Sequence, residues 1–220
     1  MKLVNNTSCR LMAVALLFTA GLLNACAQST TLATRAATAG AKVAADDPAK
    51  TPLLQPMRQM MDKIKKLQAT GDPDFDYAFR AKVHTQGAID LLNQEIQTGK
   101  NDSLKQAAQT MLTTAQADMA AIDGMIRQIK PTRPNQAFAQ QQSRNTEAMA
   151  LKMQQGGAED KLTSNFDKNF AILYQEHRQD AIDMAKTYLQ YGNNSSLKSF
   201  AQQLVTKAQQ NIDQLKALAK

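Results

Sequence analysis

Tryptophan is absent from the 220 residues, and cysteine (two), histidine (two), proline (six) and glycine (nine) are scarce. Two cysteines exclude a disulfide-dense scaffold and a cysteine-built zinc site. Aromatic residues make up only 5% of the chain, and with so few turn formers a many-turned sandwich or barrel is not expected. The sequence has no glycine-rich phosphate loop, no Gly-x-Ser-x-Gly turn and no candidate cysteine nucleophile, so nothing in it predicts an enzyme. Lysine and arginine (26) outnumber aspartate and glutamate (19), yet no basic stripe with interleaved aromatics occurs, so nucleic acid is not an expected partner. Alanine, glutamine, leucine, lysine and methionine dominate, and these are helix formers. The predicted class is all-α.

The N-terminus reads as an address. Lys2 and Arg10 precede an apolar run, Leu11–Leu23, of 13 residues. That is short of the roughly 20 residues a transmembrane helix needs and matches the basic and apolar regions of a secretory signal peptide. The run ends Leu23-Asn24-Ala25-Cys26, which resembles the bacterial lipobox, where small residues precede a cysteine that is acylated and becomes the mature N-terminus. Residues 1–25 are thus expected to be a signal peptide and Cys26 the lipidation site, with the protein facing the periplasm from an envelope membrane. Cleavage there removes Lys2 and Arg10 and lowers the formal charge from +7 to +5. A basic exported protein points toward an anionic envelope surface. Residues 26–52 are small, polar and without strong apolar periodicity, and read as a flexible tether.

The remainder, 53–220, is one unit written twice. Setting His84 against His177, an offset of 93, aligns the halves without a gap. Gln86/Gln179, Ala88/Ala181, Ile89/Ile182, Asp90/Asp183, Gly99/Gly192, Leu104/Leu197, Lys105/Lys198, Ala108/Ala201 and Gln116/Gln209 are identical pairs. Register held over so long a stretch marks an internal duplication, with repeat one at 53–130 and repeat two at 136–220. In repeat one, Tyr77, Ala78, Ala81, Ala88, Ile89, Leu92 and Ile96 share one helical face, and Asp76, Gln86, Asp90, Gln94 and Gln97 lie opposite. Gly99 is expected as a left-handed stop, and Asn101–Ser103 as cap for a second helix, about 104–125. Repeat two copies this around Gly192 and Asn193–Ser196. Lead-in helices are expected at 53–67 and 136–155, with Pro131 and Pro134 between the halves. One amphipathic hairpin cannot cover its own apolar face, so two are expected to close into a four-helix bundle.

GDPDFDYAFRAKVHTQGAIDLL and HRQDAIDMAKTYLQYGNNSSLKSFAQQLV resemble the bacterial domain-of-unknown-function family 305. That resemblance implies a ferritin-like helical bundle, usually exported, with copper bound by some members. The C-terminal LKSFAQQLVTKAQQNIDQLKALAK is also similar to domain-of-unknown-function family 4142, which implies the same fold. Against the first family's His-His-Gln-x-Ala-Ile-Asp-Met-Ala helix, His84 and His177 match the first histidine. Thr85 and Arg178 replace the second, and Ala81 and Tyr174 replace the methionine three residues earlier. Leu91 replaces the methionine that survives as Met184. The possible soft-ligand set is therefore His84, His177 and Met184, with Met60, Met61 and Met153 on the lead-in helices.

Two readings of that set stand side by side. Imidazole and thioether ligands suit copper. Otherwise His84 and His177 are boundary histidines with one hydrogen bond each, and Met57, Met60 and Met61 are core filler. Thr85 and Arg178 point into the apolar face, as do Asp118 and its counterpart Asn211. A core-facing arginine is costly unless paired, so an Arg178–Asp118 bond is expected where the family would hold metal. The expected function is a non-catalytic, lipid-anchored envelope protein with a degenerate metal site, packing against an envelope partner; the alternative is a periplasmic copper binder.

Overall fold

The computed structural model describes residues 47–154 and 159–219. The expected signal peptide, Cys26 and most of the expected tether lie outside these residues. Among the described residues there are α1 (Thr51–Lys66), α2 (Pro73–Thr98), α3 (Asp102–Ile126), α4 (Gln136–Gln154), α5 (Phe166–Tyr191) and α6 (Ser195–Leu218), a single 3₁₀ turn at Glu159–Lys161, and no strand. No described helix is long and apolar enough to cross a membrane.

Helices α2, α3, α5 and α6 begin where short polar side chains hold their free N–H groups. Asp72 accepts from the N–H groups of Asp74 and Phe75, with Pro73 in the first turn. Its counterpart Asn165 accepts from Lys168. Asn101 caps α3 through Leu104, and Asn194 caps α6 through Leu197. The loops before α2 and α5 are also copies: Asp76 accepts from Thr70 N–H (2.9 Å), and Asn169 from Thr163 N–H (2.7 Å).

Helix α2 packs against α3, and α5 against α6; the two hairpins meet through α2 and α5, with α3 and α6 also in contact. Helices α1 and α4 lie on α2 and α5 and touch each other. Each central helix ties down the far loop of the opposite hairpin. Asp74 Oδ1 accepts from the N–H groups of Asn193 (2.9 Å) and Asn194 (3.0 Å). Asp167 Oδ1 accepts from Lys100 (2.8 Å) and Asn101 (2.9 Å). Met57, Met60 and Met61 of α1 are buried in the core this forms.

Three expectations change. The tether ends earlier than 52, because residues 48–50 form a turn, α1 starts at Thr51, and Asn169 Nδ2 donates to the Ala49 carbonyl (2.9 Å). Asp76 is not on a solvated face: it is buried, receiving Thr70 and Gly71, while Ile89 and Ile96 are only partly buried. Helix α2 is covered by three neighbours, so its buried face is wider than its apolar stripe. Finally, Gly99 and Gly192 are not left-handed, with φ of −59° and −70°. They are small because Glu95 and Tyr188 lie across them. A Cβ on Gly192 would stand 2.1 Å from the Tyr188 ring, and one on Gly99 would stand 2.6 Å from Glu95 Oε1.

The Tyr188 ring is stacked on Tyr77 and hydrogen-bonded to Asp74, so it cannot swing aside. Gly192→Ala should therefore lower the thermal midpoint by several degrees. Gly124→Ala, inside α3 where a Cβ meets nothing closer than 3.9 Å, should raise stability by about 0.5–1 kcal/mol. Thermal and urea unfolding of both variants check the pair.

Candidate functional site: a buried histidine pair

The seven-residue step from Phe170 through Tyr174 to His177 places three rings along one face of α5. Phe170 and Tyr174 stack at 5.5 Å, and Tyr174 and His177 at 5.8 Å. His84, from the equivalent position of α2, continues the row: its ring centroid is 3.8 Å from that of His177, with the planes 30° apart. The pair expected from the repeat thus meets in the centre of the bundle. Both histidines are buried, so they belong to the core and not to its boundary.

His177 Nε2 lies 3.0 Å from the His84 backbone carbonyl. A carbonyl only accepts, so Nε2 carries the proton and Nδ1 is a bare lone pair. His177 Nδ1 and His84 Nε2 are buried without partners. Burial, then Arg178, push His177 down to about 3, against the opposing effect of the His84 carbonyl. Burial, His177, Arg178 and Lys152 hold His84 well below the usual imidazole range. Both shifts favour the neutral imidazole over the imidazolium.

The two orphaned nitrogens, His84 Nε2 and His177 Nδ1, are soft-metal donors by chemistry, on rings whose centroids are 3.8 Å apart and whose planes are tilted by 30°. The charges of Arg178 and Lys152 reach His84 and oppose a cation there. Of the methionines, Met60 packs into the space left by Gly87, one turn from His84; Met61 and Met184 are buried, and Met153 is partly so. Among the described residues no three His, Cys, Asp or Glu side chains gather.

The expected Arg178–Asp118 bond is replaced by another. Asp118 Oδ1 accepts from Lys207 Nζ of α6 at 2.7 Å, and Arg178 Nε is buried without a partner. The physical reason is reach: the long Lys207 side chain brings a partly exposed ammonium to Asp118, a less costly partner for a carboxylate than a second fully buried charge. Arg178 and Asp118 still share one neighbourhood, since both charges act on the hydroxyls of Tyr77 and Tyr174. Thr85 is buried beside His84, and Asn211 is only partly buried. The carboxylates flanking His177 are spent on surface lysines: Asp180 on Lys152 (2.6 Å) and Glu176 on Lys161 (3.0 Å). Burial nevertheless raises Asp180 to about 6, against the pull of Lys152.

Glu95 is a buried polar residue that sequence reasoning missed. Glu95 is fully buried, and neither carboxyl oxygen has an ordinary donor. It occupies the position that Tyr188 holds in repeat two. Tyr188 donates its hydroxyl to Asp74 at 2.6 Å. Glu95 faces Asp167, the counterpart of Asp74, and can bond it only as the protonated acid. Burial, then Asp167, raise Glu95 to about 8, with Lys105 opposing. The signal was present: a glutamate one turn before a repeated glycine, aligned with a tyrosine.

A carboxyl raised in the folded state contributes most below its unfolded pKa, near 4.5, and loses that contribution as pH climbs to about 8. Glu95→Gln, which can donate at every pH, should melt close to the unmodified chain at pH 5 and several degrees above it at pH 8.5. Thermal melts across that window read the crossover directly, and curves that stay parallel would remove the shared proton.

No curated protein and no solved structure matches the chain. Residues 124–219 match a family model, and they contain α4, α5 and α6, the second hairpin with its lead-in helix. This segment, which holds His177, Arg178 and Met184, is similar to the family described as domain of unknown function (DUF305).

Proposed function

We propose that this is a non-catalytic, lipid-anchored envelope protein whose bundle retains the frame of a soft-metal site but has filled it with its own side chains. The observation that carries the reading is the His84–His177 stack beside Arg178: two neutral imidazoles closed upon each other, under a cation. Tyr174 stands where the family resemblance implies a methionine, and its ring packs on His177 in place of a thioether ligand. Arg178 stands where a second histidine is implied. Catalysis has no support in the same place, because the imidazoles are sealed and the nearby carboxylates are engaged by lysines. The export and anchoring part of the reading rests on the Leu11–Leu23 run and the Leu23–Cys26 motif. A bundle on an acylated tether suits contact with an envelope partner rather than with nucleic acid.

A copper-binding reading is kept alive by one observation, the two orphaned nitrogens at His84 Nε2 and His177 Nδ1. The two readings separate in a Cu(I) titration of the mature chain carrying Cys26→Ser, against a competing chelator. The degenerate-site reading expects no competition at micromolar chelator. Stoichiometric uptake that is lost in the His84→Ala/His177→Ala double variant would establish the other. Anchoring is read separately: Cys26→Ala should move the protein from the membrane fraction to the soluble fraction and abolish labelling by a radioactive fatty acid.

A further inference from the structure

Arg80 lies on α2 where the repeat places Leu173 on α5, a fully buried core residue. The bundle can therefore close around an aliphatic side chain at this position, and packing does not require the guanidinium. Arg80 is 8% exposed and makes one hydrogen bond, Nη1 to Thr146 Oγ1 at 3.2 Å. Among the described residues it has no ion pair. Asp76, one turn earlier, acts on it through space, but the Asp76 carboxylate is held by Thr70 and Gly71. A buried guanidinium without a carboxylate partner is costly to maintain.

The group borders a cavity of about 310 Å³ between α1, α2 and α4. On the α4 side stands Gln142, 3% exposed, with both its carboxamide oxygen and nitrogen unpartnered. Leu67 and Ile64 supply an apolar wall, and the exposed Lys65 marks the rim. Arg80 and Lys65 against Asp76 leave one positive charge on the lining. The volume is that of a small-ligand pocket with a few convergent polar groups. A guanidinium fork matches a carboxylate in two parallel hydrogen bonds, and a carboxamide can both donate to and accept from a neighbouring hydroxyl.

We propose that this cavity is a binding site for a small 2-hydroxy monocarboxylate with an aliphatic side chain: the carboxylate on Arg80, the hydroxyl on Gln142, the hydrocarbon on Leu67 and Ile64. The site is separate from the histidine pair and does not depend on its reading.

The test is thermal unfolding and calorimetric titration of the mature chain carrying Cys26→Ser, with 2-hydroxyisocaproate as probe. Its uncharged amide and sodium chloride at equal ionic strength are the controls. The expected result is a saturable rise in the thermal midpoint with the acid alone. Arg80→Leu, which installs the residue α5 already holds, should fold and lose that rise. Gln142→Leu should weaken calorimetric binding at least tenfold, and it keeps the test decisive should Arg80→Leu fold poorly. No saturable rise in the unmodified chain, an equal rise with the amide or with chloride, or unchanged binding in Gln142→Leu would overturn the assignment.

Discussion

The contact between α2 and α5 holds the rest of the structure in place. It is secured at both ends by a carboxylate in the first turn of one hairpin's central helix accepting backbone N–H groups from the loop of the other. Each bond satisfies donors that the loop would otherwise leave unpaired, and each lies near a helix N-terminus, where negative charge is favoured. Between the two ties, the rings of Tyr77 and Tyr188 (4.2 Å apart) and of His84 and His177 pack across the same interface. The other helices are hung on this pair: α3 and α6 as hairpin partners, α1 and α4 as outer covers.

The pseudo-symmetry is close in backbone and loose in chemistry. Thr70 and Thr163, Asp72 and Asn165, Asn101 and Asn194, and Asp74 and Asp167 do the same work in both copies. Other equivalent positions of the two central helices have diverged. Glu95 corresponds to Tyr188, Thr85 to Arg178, Arg80 to Leu173, and Gly87 to Asp180. Each substitution leaves a polar imbalance that the other copy lacks. Some are met by a long cation from outside, as with Lys152 and Lys207. Others are left as orphaned atoms, as at Arg178 Nε and Glu95. A duplicated frame allows this, because one copy can hold the geometry while the other changes.

At the bundle centre, the consequence is a pair of ligand-type residues in close contact with each other. Burial of two imidazoles lowers both pKa values, and the positive charge of Arg178 lowers them further. Their rings lie 3.8 Å apart and tilted by 30°.

Helix positions, caps, the duplication and the meeting of His84 with His177 were all legible in the linear order, because periodicity and a constant offset are one-dimensional signals. The Asn101 and Asn194 caps follow from spacing alone, whereas helical spacing turns one or two of Met57, Met60 and Met61 inward and the structure buries all three. Which charges pair was not legible. Asp118 chose Lys207 over Arg178 because side-chain length and distance to solvent decide a salt bridge, and neither is written in helical phase. The role of Gly99 and Gly192 was equally hidden, since what excludes a Cβ there is a side chain folded back across the backbone, not the dihedral. Chain order determined which faces must be buried. Only three-dimensional packing decided which buried polar groups found partners, because a hydrogen bond is satisfied or lost over less than an ångström.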